Sequence, residues 1–424
     1  MGFFGSDPRT LRKDSERDDR AVKLSEFGSI ELDNELAESL RGDFPDEDDR
    51  PAIRVRPFKD NEGIESGRDF MQSIYEVERA GFRDRKNVSA AHSFEIRYTG
   101  ERMNIQYVPA EGWANSFESQ LQDKYPNALI EQAPVETLSF DAEKYVAGAE
   151  LDLSLYTLYP IKNLELEGFR RDPFGGITSA IEDSKKDGEA SADVLMQVVF
   201  RPEPRDWVHG VNGGPGIDTI AHNLQQPRYE KKRRLFTTTR VEHPPSDIEK
   251  KAAKIVRDQH GDRAWNVNIR IFAVSSEEQV ARRRVKKAAT QFENYYETAT
   301  EQKFEPIPLK GSDLRDGLDR LITREWEDRG IIKSEAEVAG FVHIPNAEIN
   351  QQNFNWALSK PGEGVPPGTP RFDFESAGVS EMASEAEKQV AMIDSADVGD
   401  PYWYGWGQKD GIEAGVYDEY LNAH

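Results

Sequence analysis

No cysteine occurs among the 424 residues, so disulfides, thiolate metal sites and cysteine nucleophiles are excluded at once. Long apolar runs are missing too: none approaches the ~18 residues that a membrane-spanning helix needs. The amino-terminal stretch MGFFGSDPRTLRKDSERDD turns charged almost immediately and does not read as a secretory signal. Positive charge is scarce: 55 Lys and Arg stand against 78 Asp and Glu, for a formal net charge of −23. Such a chain repels itself in dilute buffer. At molar salt the Debye length shrinks to about 3 Å and the repulsion is screened. Carboxylates spread along the whole chain therefore fit a halophile with a salt-loaded cytoplasm. The alternative is simply an acidic, partly disordered protein. A soluble, cytoplasmic protein is expected, one that reaches the inner face of a membrane only through partners.

Catalytic strings are also missing. No G-x-x-x-x-G-K-[ST] phosphate loop occurs, so the backbone cradle and the Lys and hydroxyl that hold a nucleotide have no candidate. The run Gly210 to Gly216 is glycine-rich, but no Lys-Ser/Thr follows it and it opens no evident helix. No G-x-S-x-G elbow supports a hydrolase triad. The seven histidines (His92, His209, His222, His243, His260, His343 and His424) are scattered, with no pair at the spacing that puts two ligands on one helical face. Carboxylates are too abundant for any pair to stand out as acid and base. The expectation is no catalytic residue, no metal site and no cofactor.

What is present is periodicity. Residues 1–50 are polar and read as an acidic tail, with one short helix around 29–40. Order is expected from Ala52. Ile53 and Val55 suggest a strand, and Phe70, Ile74 and Val77 share one helical face over 66–80. HSFEIRYTGERMNIQYV alternates as a hairpin, turning at Thr99-Gly100. Trp113, Phe117 and Leu121 recur every four residues in a helix ending before Pro126, and a strand follows at 128–131. The order over 52–134 is βαββαβ, the ferredoxin-like pattern.

A second set follows. It comprises a strand at 151–159, a helix opened by Asp172-Pro173, and a strand at 194–200. After an interruption come a strand at 265–274, a helix to about 296 and a strand at 304–309. The fold class expected is therefore α+β, with two ferredoxin-like antiparallel-sheet domains at 52–134 and 149–310. The second holds an insertion at 201–264, helical near 246–258. A helical segment at 311–358 follows, with a Ser-Glu-Ala-Glu helix start at Ser334. Then come a Pro/Gly and acidic linker at 359–400 and an aromatic end at 401–424.

Two basic clusters interrupt the acidic background. One comprises Arg228, Lys231, Lys232, Arg233, Arg234 and Arg240, with Tyr229 and Phe236 interleaved. The other comprises Arg282, Arg283, Arg284, Lys286 and Lys287. Cations beside aromatics suit phosphate backbones and unstacked bases. The plainer reading is neutralisation of acidic surface on the protein itself or on a neighbour. Of the two clusters, the first is the candidate nucleic-acid contact, because an insertion can protrude from a scaffold. The second should form the solvated side of a helix whose Val280, Val285, Ala288 and Ala289 face inward.

Several strings in order (HSFEIRYTGERMNIQYVP, LQDKYPNALIE, DPFGGITSAIEDSKKDGEASADVLMQVVFRP, WNVNIRIFAV, SEAEVAGFVHIPN and NFNWALSKPGEGVPPGTP) resemble the amino-terminal region of conjugation-type ATPases of the HerA–FtsK and type IV secretion class. That family occurs in archaea and some bacteria, and its genes travel on mobile elements. The resemblance covers roughly residues 52–370. It implies a non-catalytic module for DNA translocation that precedes a RecA-like motor and helps to assemble or dock it. The expected partners are a motor ATPase domain or subunit, a membrane channel complex, DNA, and further copies of the chain. Residues 401–424 resemble the approach to the motor's phosphate loop, which would be expected beyond His424. No ATP-binding residue can be carried over. A fragment, a gene split from its motor and a motor-less form all remain open, as does a stand-alone nucleic-acid-binding or viral structural protein.

Overall fold

A computed structural model describes residues 21–42, 51–81, 86–99, 102–163, 172–182, 190–234, 237–346, 349 and 354–357. The fold is a mixed α+β structure built on one ten-stranded sheet whose strand pairings are all antiparallel.

In chain order the elements begin with β1 (Ile30–Glu31), α1 (Asn34–Gly42), β2 (Ala52–Arg56), α2 (Ile64–Ser73), β3 (Arg79–Ala80) and β4 (Lys86–Asn87). Next come β5 (His92–Tyr98), β6 (Met103–Val108), α3 (Ala114–Lys124), β7 (Leu129–Ala133), β8 (Tyr145–Leu153), α4 (Phe174–Glu182) and β9 (Ala192–Glu203). The insertion follows as α5 (Ile217–Leu224), β10 (Arg228–Arg234), β11 (Thr237–His243) and α6 (Asp247–Asp258). The chain then returns through β12 (Ala264–Ser275), α7 (Glu278–Thr290), β13 (Phe304–Pro308), α8 (Gly311–Thr323), β14 (Ile332–Ser334) and α9 (Glu335–Ala339).

The strands group in two fours. β7, β2, β6 and β5 lie side by side, as do β13, β8, β12 and β9. β5 then pairs with β9 over seven residues, from His92 opposite Phe200 to Tyr98 opposite Val194, so the two groups share one sheet. Separate sheets were expected from the sequence. They are joined because β5 and β9 are both buried strands, apolar on one face at Phe94, Ile96, Val198 and Phe200, and each leaves an edge that the other satisfies.

One face of the sheet carries the largest core. Phe70 and Met71 of α2, Ile74 just past its end, Phe117 and Leu121 of α3, Ile177 of α4 and Val285 of α7 pack there against Phe94, Ile105, Val198 and Ile269. α1 and α8 cover part of the other face, where Leu40, Leu314 and Leu318 meet Leu195, Phe272 and Val274. The insertion has a third, smaller core, with Ile217, Ile220 and Leu224 of α5 against Ala253 and Val256 of α6.

Several elements differ from expectation. α2 stops at Ser73, so Val77 lies beyond it. The strand expected at 151–159 is β8, six residues earlier, and Leu155, Leu158 and Tyr159 pack into the insertion's core instead. Part of the expected tail is built into the fold: β1 pairs with β8, and Leu32, Ala37 and Leu40 are buried. The Gly210 to Gly216 run does lead into a helix, α5. Glu277 precedes α7 with no side-chain cap, although Ser275 Oγ accepts from Glu277 N at 3.3 Å. Ser334 and Glu337 form the reciprocal cap expected at the start of α9. Residues 1–20 and 358–424, and with them the linker and aromatic end, lie outside the described residues.

Candidate functional site

The six cations singled out in the sequence fall on a separate hairpin. Among the described residues β10 and β11 pair only with each other, in a two-stranded sheet of seven residue pairs. Lys231 stands opposite Arg240, Lys232 opposite Thr239, Arg233 opposite Thr238 and Arg234 opposite Thr237. Arg228 stands opposite His243. The side chains of residues 228–240, and the whole of residues 235–236, lie outside the described residues. A seven-residue ribbon spans about 23 Å at the usual strand rise. Its ends lead into α5 and α6, which pack on each other and form its base. Over 228–243 the sequence has six Lys and Arg against two carboxylates, Glu230 and Glu242, in a chain of net −23.

The second basic cluster divides. Arg282 is half-buried, pairs with Glu278 one turn earlier, and donates to Ser29 Oγ at 2.9 Å. Arg284 is buried, and desolvation lowers its pKa. That corrects the expectation of a wholly solvated basic face. The side chain sits between Val280 and Ala288 on the same inward stripe as Ala281 and Val285, where i+3 and i+4 neighbours face the sheet.

Another feature lies at the root of the insertion. β9 ends at Glu203, and the chain turns at once into a short 3-10 helix, Arg205–His209, and the glycine-rich loop. These segments, with Asn87, Asn266 of β12 and residues 326–332, enclose a cleft of about 440 Å³. The loop is a fixed wall. Gly210 has φ +125, and a Cβ there would meet Gly214 O at 2.2 Å, so only glycine fits. The Tyr156 hydroxyl pins the loop by donating to Val211 O at 2.9 Å and accepting from Val211 N at 2.7 Å.

The polar groups of the cleft are only partly matched. The Arg201 guanidinium lies 3.3 Å over the Trp326 ring centroid, a cation–π contact. Asp328 Oδ1 accepts from Asn266 Nδ2 and Gly330 N, each at 3.1 Å. Arg79 pairs with Asp206 at 2.6 Å. Burial pushes the Glu203 carboxyl up to about 7; Arg201 opposes that shift and Asp328 reinforces it. Among the described residues, three buried atoms of the lining have no hydrogen-bond partner: Arg201 Nε, Trp207 Nε1, on a residue 3% exposed, and Asn266 Oδ1, on one 2% exposed. These parts come from four distant segments. The only signal in the sequence was a tryptophan in each of two charged runs, PRDWVHG and TREWEDRG.

A family model, Domain of unknown function (DUF8128), matches residues 25–357. The chain belongs to this family. The DUF8128 match takes in every strand of the sheet, the basic hairpin and the cleft together. No curated protein matches the chain. Among the described residues no three His, Asp or Glu converge to hold a metal ion. His343 pairs with Asp172 at 3.0 Å in the core and His260 with Asp218 at 3.1 Å on the surface. No described helix is long and apolar enough to cross a membrane.

Proposed function

We propose that this DUF8128 protein is a non-catalytic module of a DNA-translocating machine of the conjugation or type IV secretion kind, and that the β10–β11 ribbon is its nucleic-acid arm. The observation that carries the reading is the concentration of Arg228, Lys231, Lys232, Arg233, Arg234 and Arg240 on a hairpin outside the main sheet, in a chain otherwise strongly acidic. A two-stranded basic ribbon suits a groove or a phosphate backbone. The ordered strings that resemble those of conjugation-type ATPases support the machine, and the lack of a phosphate-loop string among these 424 residues is the support for a non-catalytic role.

The scaffold reading belongs with this. The strand order 4-1-3-2 in each group of four, with two helices between the strands, supports a ferredoxin-like reading of each. On this account two ferredoxin-like halves, at 52–134 and 149–310, are joined through β5 and β9. Their outer strands offer edges to a motor subunit or channel component.

The test is binding of the purified chain to labelled duplex and single strands over a KCl series. The proposal expects log K to fall linearly with log salt, by about 0.9 for each phosphate neutralised on duplex. No binding at the lowest salt that keeps the protein folded overturns it.

A further inference from the structure

We infer that the cleft at the root of the arm is a receptor for a single unstacked nucleobase, of the kind that carries an exocyclic amine. The inference rests on the nucleic-acid reading above and names what the cleft would take.

The chemistry of the walls selects the class. Trp207 Nε1 is a buried donor without an acceptor, and Asn266 Oδ1 is a buried acceptor without a donor. Leaving either group desolvated and unmatched costs about 1–3 kcal/mol, so a ligand that satisfies both is favoured. A phosphate or carboxylate matches only the donors, Trp207 Nε1 and Arg201 Nε, leaves Asn266 Oδ1 unmatched, and would face Glu203 and Asp328. An ammonium or guanidinium matches only the acceptor. Any nucleobase edge presents both kinds of group, an N–H beside a ring nitrogen or carbonyl, and an exocyclic amine adds the further N–H, lacking in uracil and thymine, that Glu203 can accept.

Shape agrees with polarity. A cleft of about 440 Å³ lies within the range of small-ligand sites. Arg201 and Trp326 both line it, the guanidinium carbon 3.3 Å from the indole ring centroid, and a guanidinium plane or an indole is a surface on which an unpaired base stacks. Glu203 adds an acceptor for amine and imine protons once it is ionised, which its elevated pKa places around neutrality.

Position agrees as well. The cleft opens where β9 hands over to the insertion, the segment that goes on to form the basic ribbon. A strand held by the ribbon therefore has a base receptor within the same structural unit. Hydrogen bonds and stacking do not depend on counterion release, so this interaction would persist at salt that weakens the ribbon's hold on phosphates.

The experiment titrates free cytidine, adenosine, guanosine, uridine and thymidine into the full chain in molar KCl, reading tryptophan fluorescence and, in parallel, calorimetric heat. Three proteins are compared: wild type, Trp207→Phe and Glu203→Gln, each checked by circular dichroism. The expected result is saturable binding of at least one amine-bearing nucleoside, at least tenfold tighter than uridine and thymidine. Trp207→Phe, which keeps the aromatic bulk and removes the donor, should weaken it at least fivefold, and Glu203→Gln should reduce the discrimination. No saturation by any nucleoside up to about 10 mM, equal binding of all five, or binding indifferent to both substitutions overturns the inference. Competition by inorganic phosphate alone at the same concentration also overturns it. Replacing residues 231–234 by Ser should leave nucleoside binding unchanged. Nucleoside binding without strand binding sinks the arm but not the cleft, and strand binding without nucleoside binding sinks the cleft but not the arm.

Discussion

Arg324 and Glu95 meet inside the protein, with Nε 2.8 Å from Oε1 and Nη2 3.1 Å from Oε2, at 1% and 0% side-chain exposure. Arg324 sits just past the end of α8 in a left-handed conformation, φ +56, which turns the chain back across the sheet. Glu95 is the middle of a polar row that crosses seven strands in register: Glu131, Arg54, Gln106, Glu95, Gln197, Arg270 and Glu150. Gln106 and Gln197 donate to the two Glu95 oxygens at 2.6 and 2.9 Å, and Arg270 donates to Gln197 at 3.1 Å. The row ties both groups of strands to the segment after α8. That segment also carries Trp326 and Asp328 of the cleft.

Breaking this pair should be costly. Arg324→Met leaves Glu95 charged and buried without its cation, and is expected to lower stability by roughly 3–5 kcal/mol. Adding Glu95→Gln should restore much of the loss, because the carboxylate that lost its cation is then replaced by a neutral amide. Denaturant melts of the single and double variants check this; additive losses would contradict it.

Glu203 gives the protein a pH signature. Its folded pKa, about 7, lies above the ordinary carboxylate value of 4.5. Between those values the folded state holds a proton that the unfolded state has released. Stability therefore falls as pH rises from about 4.5 to about 7 and is flat for this group above that. The full shift corresponds to about 3 kcal/mol, and roughly 1–2 after solvent screening of a partly exposed group. Stability of Glu203→Gln relative to wild type, measured by denaturant melts from pH 5 to 8, should climb across this window. A constant difference would contradict the assignment.

Gly210→Ala places a methyl 2.2 Å from Gly214 O at a backbone angle that alanine rarely adopts. The expected cost is about 1–3 kcal/mol, confined to the insertion. Limited proteolysis should show faster cutting within 204–263 and unchanged protection of the sheet. Equal cutting throughout would show that the loop is not a fixed wall.

Salt should govern the whole fold. With a net charge of −23, the chain is expected to melt at higher temperature in molar KCl than in dilute buffer, because self-repulsion is then screened. Equal melting temperatures at both would contradict this.

The sequence was most legible where period and burial coincide. HSFEIRY and MNIQYV alternate, and β5 and β6 lie there. The Ser-Glu-Ala-Glu start at Ser334 is a reciprocal cap. It was least legible where packing overrides pattern. β8 reads YVAGAELDL, whose small Ala147, Gly148 and Ala149 give little hydrophobic signal, yet they let Phe272 lie across Gly148. The leucines after it looked more like a strand, but they serve the insertion's core. Asn266, Asn268 and Arg270 alternate on β12 like a solvated face. They are buried because the segment after α8 covers them, with Asn268 and Glu327 exchanging hydrogen bonds at 2.9 and 2.8 Å. The cleft was invisible for the same reason: its groups meet only after the sheet has formed.

The most direct measurement of the central claim is the salt dependence of nucleic-acid binding with and without the arm's charges. Lys231, Lys232, Arg233 and Arg234 are replaced together by Ser, and wild type and variant are titrated with a short duplex and a single strand over the KCl range in which both remain folded. The account predicts weaker binding and a shallower slope of log K against log salt, by roughly one unit for each phosphate that is no longer neutralised. Unchanged affinity and slope would contradict it, and would make the ribbon a basic surface that neutralises its acidic surroundings.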